Sequence, residues 1–285
     1  MIDGKIIVDN FAGGGGASTG IEMATGITLN MDDLKLISEI ARMKRERHYI
    51  CKEIRMIDFG YYNVDCMEGM KQFPDKYFDI AIVDPPYFKG PERRKFYGRK
   101  VNPIGAQRVY QCIDSWDIPT ESYFNELVRV SKHQIIWGCN YFNYHFGSGR
   151  IVWDKCNDKT DFSDCEIAFC SMHDSVRIFR YMWRGMFQGK SIEEGTIQQG
   201  NKRLNEKRIH PTQKPVNLYR WILQKYKIPS DWKILDTHVG SASSLIAFHE
   251  NGNKFVGFEK DKYMYDLSMN RYNVETAQIR LIDLA

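Results

Sequence analysis

Short apolar runs, each closed by a polar or glycine-rich corner, set the rhythm of this chain. Residues 77–83 (YFDIAIV) are continuous and free of turn formers, which predicts a strand buried on both faces. Residues 133–137, 150–153 and 166–170 predict three further strands, and 233–236 and 254–258 two more. Helical spacing predicts a helix over 31–48, with Asp32 or Asp33 near its start and Leu34, Ile37 and Ala41 on one face. A second is expected over 121–132 with Phe124, Leu127 and Val128 inward. A third follows Pro215 with Leu218, Trp221, Ile222 and Tyr226 on one face, and a fourth covers 243–251. Strands alternating with helices define an α/β fold. Residues 171–209 break the rhythm with basic residues, glycines and little periodicity, which reads as an insert into that domain.

Bulk properties change this picture little. The length of 285 residues admits one large α/β domain or two small ones. Hydrophobic content of 43% and charged content of 27% are those of a soluble globular protein. No run is long enough to span a bilayer, and the N-terminus does not read as a signal peptide, so a cytoplasmic protein with no membrane partner is expected. Seven cysteines without a C-x-x-C pair indicate reduced thiols and argue against a structural zinc site. A net charge of +4 is compatible with nucleic acid, and its distribution says more. Arg93, Arg94, Lys95 and Arg99 interleave with Phe96 and Tyr97 directly after the first strand's corner, while Arg177, Arg180 and Arg184 stand in the irregular segment. Both stretches suit phosphate contact with base stacking.

The candidate chemistry sits at strand ends, where ligands bind in open α/β sheets. Asp84-Pro85-Pro86-Tyr87 ends the 77–83 run. Its prolines lack N–H groups and fix φ, so an acid, an outward carbonyl and an aromatic face are held in one stiff corner. That set suits the exocyclic amine of a nucleobase, a poor nucleophile whose lone pair is delocalised into the ring. Two acceptors favour the pyramidal amine that forms as it attacks, and Tyr87 offers a stacking face for an extruded base. A second corner, Asp236 to Ala242, follows the 233–236 strand, and Glu259 closes the next strand about 20 residues later. A small-residue turn followed at that distance by an acid is the pattern of a nucleoside-binding βαβ unit.

The opening stretch, Ile6 to Gly20, also runs from a strand into a glycine-rich turn, but without G-x-G-x-x-G spacing. It resembles the first cofactor motif of DNA cytosine-5 methyltransferases. That family also requires a Pro-Cys nucleophile, which this chain does not contain, so a relic or accessory segment is the favoured reading.

Four blocks together resemble the S-adenosylmethionine-dependent amino-methyltransferases of DNA, in the permuted adenine-N6 group where D-P-P-Y precedes the cofactor loop. They are Asp84 to Tyr87; Ile151 to Lys155 with Asp161 to Asp164; His210 to Pro215; and Ile234 to Ser241. In order and spacing they cover about residues 60–275. The resemblance implies a Rossmann-like class I methyltransferase sheet, circularly permuted, with a DNA-contacting insert. It implies a glycine-rich extension and helix over 1–50 and a catalytic domain over 51–285, with target recognition at 171–209. Asp84 and the Pro85 carbonyl would bind the amine, with Pro86 stiffening the corner and Tyr87 stacking on the base. Asp236, Thr237, Gly240 and Ser241 would form the methionine-side loop, Glu259 would take the ribose, Asp65 would lie near the cofactor's adenine, and Lys214 would pack beside the methionine end. Thr237 and His238 stand where the family has Pro-Phe, and Ala242 where it has Gly; Ala242 fits only if its φ stays negative.

The implied activity is methylation of adenine N6 in double-stranded DNA after base flipping. The alternatives are methylation of cytosine N4, a DNA-binding protein that has lost catalysis, or a nucleotide-dependent oxidoreductase using residues 6–20. A restriction endonuclease is a candidate partner, and the chain is expected to act as monomer or homodimer in a prokaryotic, phage or mobile-element host cytosol.

Overall fold

The computed structural model describes residues 58–87, 118–156, 163–184, 187–189, 205–210 and 212–282, all within one compact unit, Ile57–Ala285. The helix expected over 31–48, the glycine-rich start and Arg93, Arg94, Lys95 and Arg99 lie outside the described residues.

Ten strands and five helices are described: β1 (Gly60–Tyr62), α1 (Cys66–Met70), β2 (Phe78–Val83), α2 (Glu121–Val130), β3 (Ser131–Trp137), β4 (Arg150–Asp154), β5 (Cys165–Cys170), β6 (Val176–Arg180), β7 (Trp183–Arg184), β8 (Phe187–Gln188), α3 (Val216–Lys225), β9 (Lys233–Asp236), α4 (Ser243–Glu250), β10 (Lys254–Phe258) and α5 (Lys262–Ile282). Eight strands form one sheet in the order β1-β10-β9-β2-β3-β5-β4-β6, and β7 and β8 make a separate hairpin. Among the described strands of the eight-stranded sheet, only β5 runs antiparallel to its neighbours.

The alternation along β2 shows how the sheet is covered. Ile80 and Ile82 belong to a core with α3 and α4 (Leu218, Ile222, Leu245, Phe248). Ala81 and Val83 belong to a second core with α1 and α2 (Met70, Phe124, Leu127). A strand buried on both faces reads as an unbroken apolar run because each residue meets one helix layer or the other. Asp79 tolerates its place near the start of β2: one oxygen accepts from Lys132 Nζ at 2.7 Å and the other from the Lys233 amide at 2.9 Å.

Two expectations are corrected. Val128 is 37% exposed, because α2 turns Tyr123, Phe124, Leu127 and Val130 toward the sheet and leaves position 128 at the rim. The stretch from 171 is not wholly an insert, since β6 pairs in parallel with β4 and extends the sheet. As an edge strand it buries only Phe179, so its sequence carries no alternation to read.

Candidate active site

β9 leads through α4 to β10 on one side, while β2 leads through α2 to β3 on the other, and β2 and β9 pair directly (Ile80 with Ile234, Ala81 with Leu235). The chain therefore diverges between these two strands, and such a switch point opens a crevice at the strands' carboxyl ends. A cavity of about 800 Å³ lies there. Asp84, Tyr87, Asp65, Lys214, Thr237, Gly240, Ser241 and Glu259 all line it, and Asp236 closes β9 beneath the turn.

The β9 corner is built to leave backbone open. Gly240 has φ +53° and a Cβ placed there would meet nothing within 4 Å. Its amide donates to Glu259 Oε2 at 3.0 Å, while Glu259 Oε1 accepts from the Asp261 amide at 2.9 Å, so the two strand tips are tied together. Asp236 is buried, accepting from Ser244 Oγ at 2.5 Å and the His238 amide at 3.0 Å. Burial pushes its carboxyl up to about 7. Ala242 has φ +62°, the left-handed conformation that its family position would give to glycine; the condition of a negative φ is not met, and the strain is borne at a fully buried residue. The Thr237–His238 departure is absorbed by a polar chain: Tyr123 Oη lies 2.5 Å from Thr237 Oγ1, which lies 2.9 Å from His238 Nδ1. Burial lowers the His238 imidazole to about 4, so the ring is neutral. Asp65 caps α1 through the Met67 amide (2.9 Å) and pairs with Lys260 at 3.3 Å.

The β2 corner carries a buried charge cluster. Lys214 Nζ donates to Asp84 Oδ2 at 2.5 Å and to Glu166 Oε2 at 2.9 Å. Lys155 Nζ pairs with Glu166 Oε1 at 2.5 Å, and Tyr87 Oη donates to Glu166 Oε2 at 3.1 Å. Lys214, expected beside the cofactor's methionine end, is thus anchored to the Asp84 corner. Burial raises the Asp84 carboxyl; Lys214 draws it down and Glu166 pushes it up. Burial would also raise Glu166, but Lys214 and Lys155 outweigh it and hold Glu166 at about 2. Asp84 Oδ1 is buried and has no hydrogen-bond partner among the described residues, an acceptor left for something else. Tyr87 stacks on Tyr141 with centroids 4.9 Å apart and 11° between planes. Gly138, at φ +70°, lies against the ring: a Cβ there would fall 2.2 Å from Tyr87 Cδ1.

Sequence reading marked both acidic corners at strand ends but missed Glu166, Gly138, Tyr141 and Tyr123, and it named Lys155 and His238 only as motif positions without a role. Glu166 had one signal, a lone charge in the otherwise apolar run 165–170, since such acids are buried only when paired. Of the basic candidates with described side chains, Arg177 and Arg180 do not line the cavity. Arg177 and Arg180 are exposed on β6, four strands from β2, and Arg180 Nε pairs with Asp154 at 3.3 Å; Arg184 lies on β7.

A profile of the DNA methylase family, covering N6 and N4 amino-methyltransferases, matches residues 78–270, and the chain belongs to that family. It is 24% identical over 241 residues to the type II methyltransferase M.HinfI of Haemophilus influenzae, covering 73% of this chain and 66% of that one. It is 25% identical over 206 residues to YubD of Escherichia coli (strain K12), covering 68% and 82%. The crystal structure of the M1.HpyAVI–S-adenosylmethionine complex aligns with 74% of this chain and 98% of its own at 18% identity, with a TM-score of 0.41.

Proposed function

We propose that the protein transfers a methyl group from S-adenosylmethionine to the exocyclic N6 amine of adenine in double-stranded DNA, after the base is turned out of its helix. The observation that carries this reading is the buried Oδ1 of Asp84, unpartnered among the described residues, in a chain-divergence crevice whose other wall is the Gly240 turn and Glu259.

The cofactor is S-adenosylmethionine, and the β9–β10 side fits it. An open backbone turn at Gly240 would admit its methionine part, with Asp236, Thr237 and Ser241 assigned beside that part and Glu259 and Asp65 assigned to its ribose and adenine. When bound, it supplies a methyl on an electrophilic sulfonium whose C–S pair returns to sulfur as the amine lone pair takes the methyl. The chain's part is placement and polarisation. Asp84 Oδ1 and the Pro85 carbonyl accept the two amine N–H bonds, which favours a pyramidal, nucleophilic nitrogen. Tyr87 offers the base its ring, with Tyr141 moved aside. The surplus N–H proton leaves to Asp84 Oδ1 and from there to water; the amine becomes acidic only once methylated, so a strong base is not required.

Methylation of cytosine N4 is the second reading, because the same corner would hold either amine; Asp at the first motif position favours adenine. The recognition segments are assigned to 88–115 and to the part of 171–209 that follows β6, and a restriction endonuclease partner is in keeping with the likeness to M.HinfI. Sequencing DNA from cells that express the protein for modified bases tests the reading. Adenine modified at one short sequence context is expected; unmodified DNA, or modified cytosine alone, would overturn it.

A further inference from the structure

We infer that Glu166, which no part of the reading above uses, is a positioning residue that shares Lys214 with Asp84 and thereby keeps the second oxygen of Asp84 free and able to take a proton. The inference rests on the reading of Asp84 as the amine's acceptor and names a residue that governs it.

The geometry is that of a hub. Glu166 enters on β5, whose C-terminal end pairs beside β3, and its two oxygens meet three groups from three other segments. They are Lys155 after β4, Lys214 ahead of α3 and Tyr87 at the β2 corner. All four side chains line the cavity. Two carboxylates and two ammonium groups make the cluster neutral, which is the condition for burying charge at tolerable cost.

Without Glu166, Lys214 would have Asp84 as its only anionic partner. A free ammonium beside a buried carboxylate approaches both oxygens and suppresses its basicity. With Glu166 present, Lys214 is drawn to one side and contacts only Oδ2. Glu166 also fixes the Tyr87 hydroxyl, so the acceptor and the stacking ring are set by one carboxylate. The other ionisable groups facing Asp84 are Tyr219 from α3, Tyr123 from α2 and Asp236 from β9, and none of them touches Lys214 Nζ within hydrogen-bond distance in the described residues.

The test combines a titration that needs no substrate with a kinetic split. In Glu166→Gln the shape is kept and the charge is lost, so the Asp84 carboxyl, followed by carbon-13 NMR of the folded protein, should ionise at a pH lower by about one unit. Its kcat should fall about tenfold or more, with the cofactor's Kd by calorimetry unchanged. Glu166→Asp keeps the charge but shortens the reach; Asp84 should titrate as in the parent while kcat falls, because Tyr87 and Lys214 lose their anchor. An unshifted Asp84 titration in a folded Glu166→Gln protein, or full kcat in either variant, would overturn the inference. Should Glu166→Gln not fold, the kcat of Glu166→Asp decides alone. A parent protein that methylates no DNA would instead refute the proposed function, leaving the titration to judge Glu166 by itself.

Discussion

Asp84 is held with one oxygen spent on Lys214 and the other buried without a partner among the described residues. Replacing it with Ala should abolish methyl transfer while leaving cofactor affinity within about twofold, since the cofactor is assigned to the far wall; calorimetry and a filter assay separate the two. Gly138 makes a comparable demand by steric means. Gly138→Ala must push Tyr87 off the backbone, and a drop in kcat of about tenfold or more is expected with little change in cofactor binding. Asp236 gives a pH signature. Its folded carboxyl is raised to about 7 by burial, above the unfolded value, so the folded state binds that proton more tightly. The cost of holding it ionised is in full above pH 7 and disappears as pH falls toward 4. Asp236→Asn should therefore raise thermal stability by up to roughly 4 kcal/mol at pH 8, less whatever the lost hydrogen bonds cost, and by almost nothing near pH 4, while weakening cofactor binding. Calorimetric melts at the two pH values check the sign. Glu166 was hidden in the sequence, and Lys155 was visible only as a motif position, because a charged side chain beside a strand tip looks exposed until the neighbouring strands are known.

Elements whose sequence carries a strong period were legible, and those whose environment is asymmetric were not. β2 was read within a residue of its limits because both faces are covered, whereas β6 was lost because an edge strand with one buried residue has no pattern. The α3 N-terminus was expected from Pro215 and a polar neighbour. Its actual cap is remote: Glu206 Oε2 accepts the Val216 amide at 3.0 Å, while Glu206 Oε1 pairs with Arg271 of α5 at 2.7 Å. Arg271 in turn donates to the Ser241 carbonyl at 2.7 Å, so this ion pair joins α3 and α5 to the turn after β9. Glu206→Ala would strand a buried guanidinium and should cost about 3 kcal/mol, measured by urea unfolding. The start of α4 behaves differently from its interior. Ala242→Gly should leave stability unchanged or slightly higher, since glycine adopts the left-handed conformation freely, whereas Ala247→Gly should cost about 1 kcal/mol.

At the scale of the whole molecule, the decisive feature is that two corners about 150 residues apart in the chain end on paired strands. Sequence reading put both corners at strand ends, and the sheet sets those strands side by side; β6, which carries Arg177 and Arg180, was not legible, because it has one buried residue and no period. The central claim is methyl transfer to adenine at the Asp84 corner. Its most direct measurement is incubation of the protein with duplex DNA and S-adenosylmethionine bearing a labelled methyl, followed by digestion to nucleosides and mass analysis, with the Asp84→Ala variant alongside. Label in N6-methyldeoxyadenosine from the parent and none from the variant is the predicted result. Label confined to a cytosine nucleoside, equal label from the variant, or no label at all would contradict it.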